Sequence, residues 1–336
     1  MINYIQLKRW YIEYKDKIDD SIIKNIYSFY DGVLFELFKP GLDKRFLYII
    51  PGKIIFLDDK KERDETDKFI LRLRKDFENK KIKIKLDEDD KIIIVESKDA
   101  KIYFELFPNG VVVVTDLNDN ILYANQYKDF GVRKISKGLQ YKKPPKKVAK
   151  ISNFEDFYQL FKNTEKKDVV RLLAIELGLG GQYSEYILST LGIEKNKKPN
   201  ELSEEGIKKI YELYKKILDE LIVIDENYNV INDVNKYFIY LFNKNFQDKK
   251  IRELEEKKKK IEKIIEEQKR VLEDIDKEIN NLEKIANFLV KYSWVFNNYD
   301  IDQINSHIKD LGLNIKIYKK ENNLIMEIND DLIDKL

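Results

Sequence analysis

Between residues 248 and 296, Leu254, Ile261, Ile265, Leu272, Ile275, Ile279, Leu282, Ala286 and Leu289 recur at alternating steps of three and four. Lys258 and Gln268 are the two interruptions, nearly every position between is charged or Asn, and no Gly or Pro breaks the run. This is the narrow a/d seam of a coiled coil, not the wide apolar face of a globular helix. At 1.5 Å per residue the rod reaches about 70 Å, longer than a compact domain is wide. A bare seam leaves Leu and Ile in water, so it requires a second helix, and the sequence holds no second heptad segment of this length. The arm is therefore expected to be half of a hairpin whose return strand is missing, or one strand of a homodimer.

The remaining chain has the means to build cores. Hydrophobic residues make up 43% and charged residues 37%, and the charges nearly cancel to +2, so any electrostatic attraction must come from local patches. Absence of Cys excludes disulfides, thiolate nucleophiles and thiolate zinc sites. The one histidine, His307, has no Gly-x-Ser-x-Gly elbow to serve and reads as an exposed helix residue. The carboxylate pairs Asp58/Asp59, Asp89/Asp90 and Asp330/Asp331 fall in turn-like or terminal stretches, as solvated acids do. There is no Walker loop, dinucleotide fingerprint or His-Glu-x-x-His. We expect no metal, no cofactor and no active site of the chain's own. No apolar run approaches membrane-spanning length and no signal peptide opens the chain, which predicts a soluble cytoplasmic protein.

Residues 1–145 read as an α+β module. Residues 5–14 and 21–27 show mixed helical spacing, Asp31-Gly32 marks a hairpin turn, and Pro51-Gly52 marks a second. A helix over residues 67–79 carries Phe69, Ile70, Leu73 and Phe77 on one face. Five strand-like stretches follow, separated by an acidic turn (87–90) and by Pro108-Asn109-Gly110. Residues 130–150 then form a basic connector with Arg133, Lys134, Lys137, Lys142, Lys143, Lys146 and Lys147. Its Pro144-Pro145 pair forbids helix, so it reads as an extended linker, either held in water or facing phosphate.

Residues 146–221 read as helical. There Gly178-Leu179-Gly180-Gly181 joins two helices, either as an ordinary glycine-terminated turn or as a helix-hairpin-helix loop. In the second reading the bare N–H groups opening the second helix receive phosphate oxygens irrespective of sequence. Residues 222–297 hold a short hairpin-like element, the aromatic cluster Tyr237, Phe238, Tyr240 and Phe242 at the base of the arm, and the arm itself. Residues 298–336 add a short helix and a hairpin before the sequence stops where a returning helix is due.

Several stretches, in this order, resemble the NFACT family. They are Phe-Ile-Leu-Arg-Leu-Arg-Lys at 69–75, Asp90-Lys91-Ile92-Ile93, Phe-Glu-Leu-Phe-Pro-Asn-Gly at 104–110, and Gly-x-x-Tyr-x-x-Pro-Pro at 138–145. The most specific is the archaeal-type Leu-Gly-Leu-Gly-Gly-x-Tyr-x-Glu that begins at Leu177, and the likeness runs over essentially all 336 residues. The resemblance implies an α+β fold: a two-lobed NFACT-N head similar to the N-terminal domain of bifunctional DNA glycosylases, a helix-hairpin-helix domain and a coiled-coil arm. It also implies a role in ribosome-associated quality control. Such proteins bind a large ribosomal subunit (rRNA) obstructed by peptidyl-tRNA with its nascent chain, and recruit tRNA for untemplated C-terminal tailing.

Carried over by motif, the resemblance implies tRNA contacts at Arg74, Lys75, Asp90, Lys91, Glu105 and Asn109. The phosphate-facing readings of the glycine turn and the connector place RNA-phosphate contacts at Gly178, Gly180, Gly181, Lys142, Lys143, Lys146 and Lys147. The family has Asp-Arg where this chain has Asp90-Lys91; lysine keeps the charge and loses the planar bidentate fork. The second arm helix and the family's C-terminal domain are absent from this sequence, which suits a truncated chain or a naturally split one. Two other classes remain open. One is a DNA-binding or lesion-processing module, although Met1-Ile2-Asn3 lacks the Pro-Glu start of the glycosylases. The other is a scaffold that dimerises through residues 248–296.

Overall fold

The computed structural model describes residues 2–64, 66–145, 148–298, 300–321 and 323–328, without the side chains of 246–250, 252, 253 and 295–297. The chain divides into two units, Met1–Phe246 and Gln247–Leu336. Lys146, Lys147, Asp330 and Asp331 lie outside the described residues.

In the first unit, helix α1 (Tyr4–Ile18) starts at a reciprocal cap: Gln6 N–H donates to Asn3 Oδ1 (3.1 Å) and Asn3 N–H to Gln6 Oε1 (2.9 Å). Four antiparallel strands come next in sequential order, β1 (Ile22–Phe29), β2 (Gly32–Phe38), β3 (Arg45–Ile50) and β4 (Ile54–Asp58). The helical spacing over residues 21–27 is thus overturned. Ile22, Ile23 and Ile26 are β-branched and pair with β2 along the whole hairpin, so cross-strand packing decides. Helix α2 (Lys68–Phe77) is capped by Asp67 and buries Ile70, Leu73 and Phe77. A second antiparallel meander comprises β5 (Lys83–Leu86), β6 (Ile92–Glu96), β7 (Lys101–Glu105), β8 (Val112–Thr115) and β9 (Ile121–Ala124).

One hydrophobic core joins both sheets to α1 and α2, with Phe35 and Phe104 meeting edge to face at 6.0 Å. The second sheet is also covered on its other side, where Ile92, Tyr103, Val113 and Ile121 pack with Ile135 and Tyr141. The basic connector is therefore no free linker up to residue 143. Strands β10 (Lys128–Asp129) and β11 (Lys134–Ile135) form a small hairpin. Beyond it, Gly138 and Tyr141 donate backbone N–H bonds to Ile121 and Asp119 (2.8 Å each). Apolar residues spaced among the lysines give this stretch a face to bury, which the charge run masked.

The helical part has its own core, built from α3 (Phe154–Asn163), α4 (Val169–Arg171), a π-helical turn (Leu172–Glu176), α5 (Gly180–Thr190), a 3₁₀ turn (Pro199–Glu201) and α6 (Glu204–Glu220). Helix α7 (Val234–Lys291) begins well before the heptads. Its first turns carry Tyr237, Phe238 and Phe242 into the sheet core, with the Phe242 ring 5.3 Å from Phe29 and 5.2 Å from Phe56, while Tyr240 stays exposed. Asn235 locks this entry. It accepts from the Trp10 indole N–H (2.8 Å) and from Leu57 N–H (2.8 Å), and donates to Leu57 O (2.7 Å).

In the second unit the heptad seam lies along α7 with Leu254, Leu272 and Leu282 each more than half exposed (56–59%). Helices α8 (Ser293–Asn298) and α9 (Ile301–Asp310) come next, then the hairpin β12 (Lys316–Lys320) to β13 (Asn323–Glu327). Ile304, Ile308, Ile315 and Ile317 form a small core with Phe288. No helix among the described residues is long and apolar enough to cross a membrane.

Asn235→Ala orphans a buried indole N–H and both polar groups of Leu57. At about 1–3 kcal/mol per orphaned group, we expect a drop of at least ~3 kcal/mol in urea unfolding. A drop below ~1 kcal/mol would show that the lock carries little.

Candidate nucleic-acid interface

The acidic turn between β5 and β6 is organised by one carboxylate. Asp87 Oδ1 accepts the backbone N–H groups of Asp89 and Asp90 (3.0 Å each), and Asp90 Oδ1 accepts Lys91 N–H (2.7 Å). Asp87 also pairs with Lys143, which brings the connector onto the turn. Tyr4 hydroxyl donates to the carbonyl of Glu88 (2.6 Å). The acids of this turn face solvent only in part, because Asp87 is buried and Asp90 half-buried.

Lys91 stands directly after them and is half-buried, with Nζ donating to the carbonyl of Ile2 (3.1 Å). Burial holds its ammonium below the usual lysine range, opposed by Asp90, while burial raises the Asp90 carboxyl above its usual range against the pull of Lys91. The Tyr4 hydroxyl is pushed up to about 12, first by burial and then by the carboxylates of residues 87–90.

The next residue of the N-terminal strap reaches the glycine turn: Asn3 Nδ2 donates to the carbonyl of Leu179 (3.1 Å). Gly178 (φ +68°) and Gly180 (φ +72°) adopt the left-handed region, where a side chain is strained. Leu177 and Leu179, on either side of Gly178, are buried, so the turn is anchored by its leucines while Gly178 and Gly181 stay exposed. Helix α5 then opens without a side-chain cap, leaving its first N–H groups to other acceptors. The chain leaving the connector runs alongside, with Ala149 N–H donating to Glu176 O (2.6 Å).

Lys91, the strap at residues 2–4, Lys143 and the glycine turn are thus joined by direct contacts. Lys142 is exposed beside them, its carbonyl accepting from Arg133 (3.1 Å). Other sequence-derived candidates sit elsewhere. Arg74 is turned to β1, donating from Nε to Ile26 O (2.7 Å) and pairing with Glu78, while Lys75 is exposed on α2. Asn109 is exposed in the β7–β8 turn with φ +60°.

Glu105 is a correction. It is fully buried, and its carboxylate accepts from both Arg133 guanidinium nitrogens (Nη2–Oε2 2.8 Å), the Tyr141 hydroxyl (2.9 Å) and Val111 N–H (3.1 Å). A carboxylate so saturated has no surface to offer a tRNA, and Arg133, buried with it, is no phosphate-facing cation. Sequence reasoning missed Ile2, Asn3 and Tyr4. The Asn-x-x-Gln cap of α1 was a readable signal for Asn3; its long-range bond to Leu179 left no local trace. Among the described residues no group of three or more His, Asp or Glu could hold a metal ion.

A family profile described as the NFACT N-terminal and middle domains matches residues 13–318. The archaeal Rqc2 homolog aRqcH of Methanocaldococcus jannaschii is 33% identical over 181 residues, 51% of this chain and 26% of that protein. The chain thus matches about a quarter of that relative's length. The N-terminal part of the fibronectin/fibrinogen-binding protein of Streptococcus suis superposes with a TM-score of 0.54 at 16% identity, over 74% of this chain and all of the other. The fibrinogen binding protein of Staphylococcus aureus gives 0.53 at 14% identity, over 69% of this chain and 96% of its own. At these identities the two structures share a fold with this chain.

Two outcomes test the geometry. Arg133→Met strands a buried carboxylate and should cost about 3–5 kcal/mol in urea unfolding; a cost under ~1 kcal/mol would refute the clamp. The raised Tyr4 hydroxyl stabilises the fold below pH 10, where the unfolded chain also keeps its proton, and that stabilisation is lost as pH rises to about 12. The wild-type minus Tyr4→Phe stability difference should therefore shrink between those values; a constant difference contradicts the assignment.

Proposed function

The chain belongs to the NFACT family, and on that footing we propose that it is an RNA-binding factor of ribosome-associated quality control. It engages the large ribosomal subunit carrying an obstructing peptidyl-tRNA and recruits tRNA for untemplated tailing, acting in the cytoplasm without chemistry of its own. The observation that carries this reading is the strap at residues 2–3, which ties Lys91 to the glycine turn through Ile2 O and Leu179 O. The family's charged pair and the helix opening at Gly180 then address one stretch of sugar-phosphate backbone. Helix α5 with its glycine turn serves as the second half of a helix-hairpin-helix, giving N–H donors to phosphate. Lys142 and Lys143 extend the contact as point charges, with Asp87 keeping Lys143 in place.

Phosphate contacts of this kind carry affinity and a salt dependence but no sequence preference. The tRNA affinity should fall steeply between about 50 and 200 mM salt. Lys91→Ala should weaken binding and reduce the salt slope by about 1 for each phosphate it no longer neutralises. Lys91→Arg, which restores the fork, should bind at least as well as wild type. Filter binding across a salt series measures both. Absence of a negative salt slope, or preference for an abasic DNA duplex over tRNA, overturns the proposal.

The arm favours one further reading of partners. Its seam is exposed among the described residues, so we propose that it pairs with a second helix, which in a sample of this chain alone is that of a second copy. Sedimentation velocity should show a dimer that Ile265→Asp with Leu272→Asp returns to monomer; a monomeric wild type at tens of micromolar rules this out.

A further inference from the structure

A cavity of about 470 Å³ opens where the β1–β2 turn, the start of α2 and the end of β9 meet, away from the contacts that join Lys91 to the glycine turn. Its size falls within the range of small-ligand sites, about 300–1,000 Å³. Two aromatic rings, Tyr30 and Phe69, and two amides, Asn125 and Gln126, stand among its lining residues.

The rings are fixed before anything binds. Tyr30 has φ +48°, a left-handed conformation costly for a bulky residue. Asp64 holds it by accepting Tyr30 N–H (2.5 Å), and edge contacts to Phe29 (4.9 Å) and Phe242 (5.6 Å) set the ring. Gly32 closes the turn because a Cβ there would come within 2.4 Å of Ile49 O. Phe69 leans edge-on against Tyr123 (5.9 Å), itself covered by the Arg72 guanidinium (3.9 Å).

The amides supply hydrogen bonding. Asn125 uses its carbonyl oxygen to accept Val112 N–H (2.9 Å), which orients the side chain and leaves its two amide N–H donors for a ligand. Gln126 is exposed and adds both a donor and an acceptor. Charge does not favour the other part of a nucleotide. Asp31 and Asp67 line the cavity with one lysine, Lys68, and Asp31 is paired with Lys53 (3.4 Å), so acids and ammoniums balance and the lining holds no excess positive charge to draw a phosphate in.

We infer that this cavity receives an unpaired nucleobase of the bound RNA, stacked on Tyr30 or Phe69 and hydrogen-bonded at its edge by Asn125 and Gln126. The inference rests on the RNA-binding reading and adds a base-reading subsite to a surface otherwise built for phosphate.

The test uses the full chain and an RNA hairpin with 2-aminopurine at each loop position in turn. At one position its fluorescence should be quenched on binding, and adenosine should reverse the quenching where inorganic phosphate at the same concentration does not. Phe69→Leu should lower affinity for the hairpin about 5- to 150-fold, the range for one base–aromatic stack. Gln126→Ala, at an exposed position that the fold does not use, should weaken binding with the salt slope unchanged. If wild type binds with its salt slope but no position is quenched and neither variant weakens it, the cavity holds no base and the RNA-binding reading stands. If wild type binds no RNA, both fall.

Discussion

A carboxylate with no access to water must be neutralised where it sits, and Glu105 imposes that demand on everything around it. Arg133 answers with a fork, Tyr141 with a hydroxyl and Val111 with a backbone N–H. Val111 comes from the β7–β8 turn and Arg133 and Tyr141 from the connector, so one charge fixes the two together. Its backbone takes part too. Glu105 O accepts Gly52 N–H (2.8 Å), which stitches the first sheet to the second. Gly110 passes so close that a Cβ there would lie 2.2 Å from that same oxygen. The connector lysines owe their position to this cluster, because a chain pinned at residues 133 and 141 can present Lys142 and Lys143 only on one side of the second sheet.

In the RNA-binding reading proposed above, this arrangement divides the labour among the cations. Lys91 is half-buried and held in place by Ile2 O, so little rotamer entropy remains to be lost when an anion arrives. Lys142 is exposed beside it, adding attraction at the cost of ordering. In that reading the fixed lysine sets where a phosphate sits, and the exposed one speeds its approach.

Much of the fold was legible where the signal is local. Asp31-Gly32 and Pro51-Gly52 marked their hairpins, Asp67 marked the start of α2, and the three-and-four stripe marked a helix. Residues 21–27 were misread because Ile-Ile-x-x-Ile satisfies a helical period as readily as a strand, and only pairing with β2 decides. The connector was misread for a related reason: its lysines are conspicuous, and the few apolar side chains that glue it down, Ile135 and Tyr141, are not. The sequence offers candidate residues one by one but not which of them meet. Asn3 meets Leu179 and Lys91 meets Ile2 across separations of 176 and 89 residues, which no local pattern encodes. Glu105 shows the opposite failure, since a motif position that stands out in the sequence proved to serve the interior.

The lock at Asn235 also makes the protein self-reporting. It holds Trp10 fully shielded with its indole N–H bonded, whereas the second tryptophan, Trp294, lies in the other unit and is 51% exposed. Their emission maxima should differ in colour, and the opening of the first unit should read as a red shift of the shielded Trp10, with no label attached.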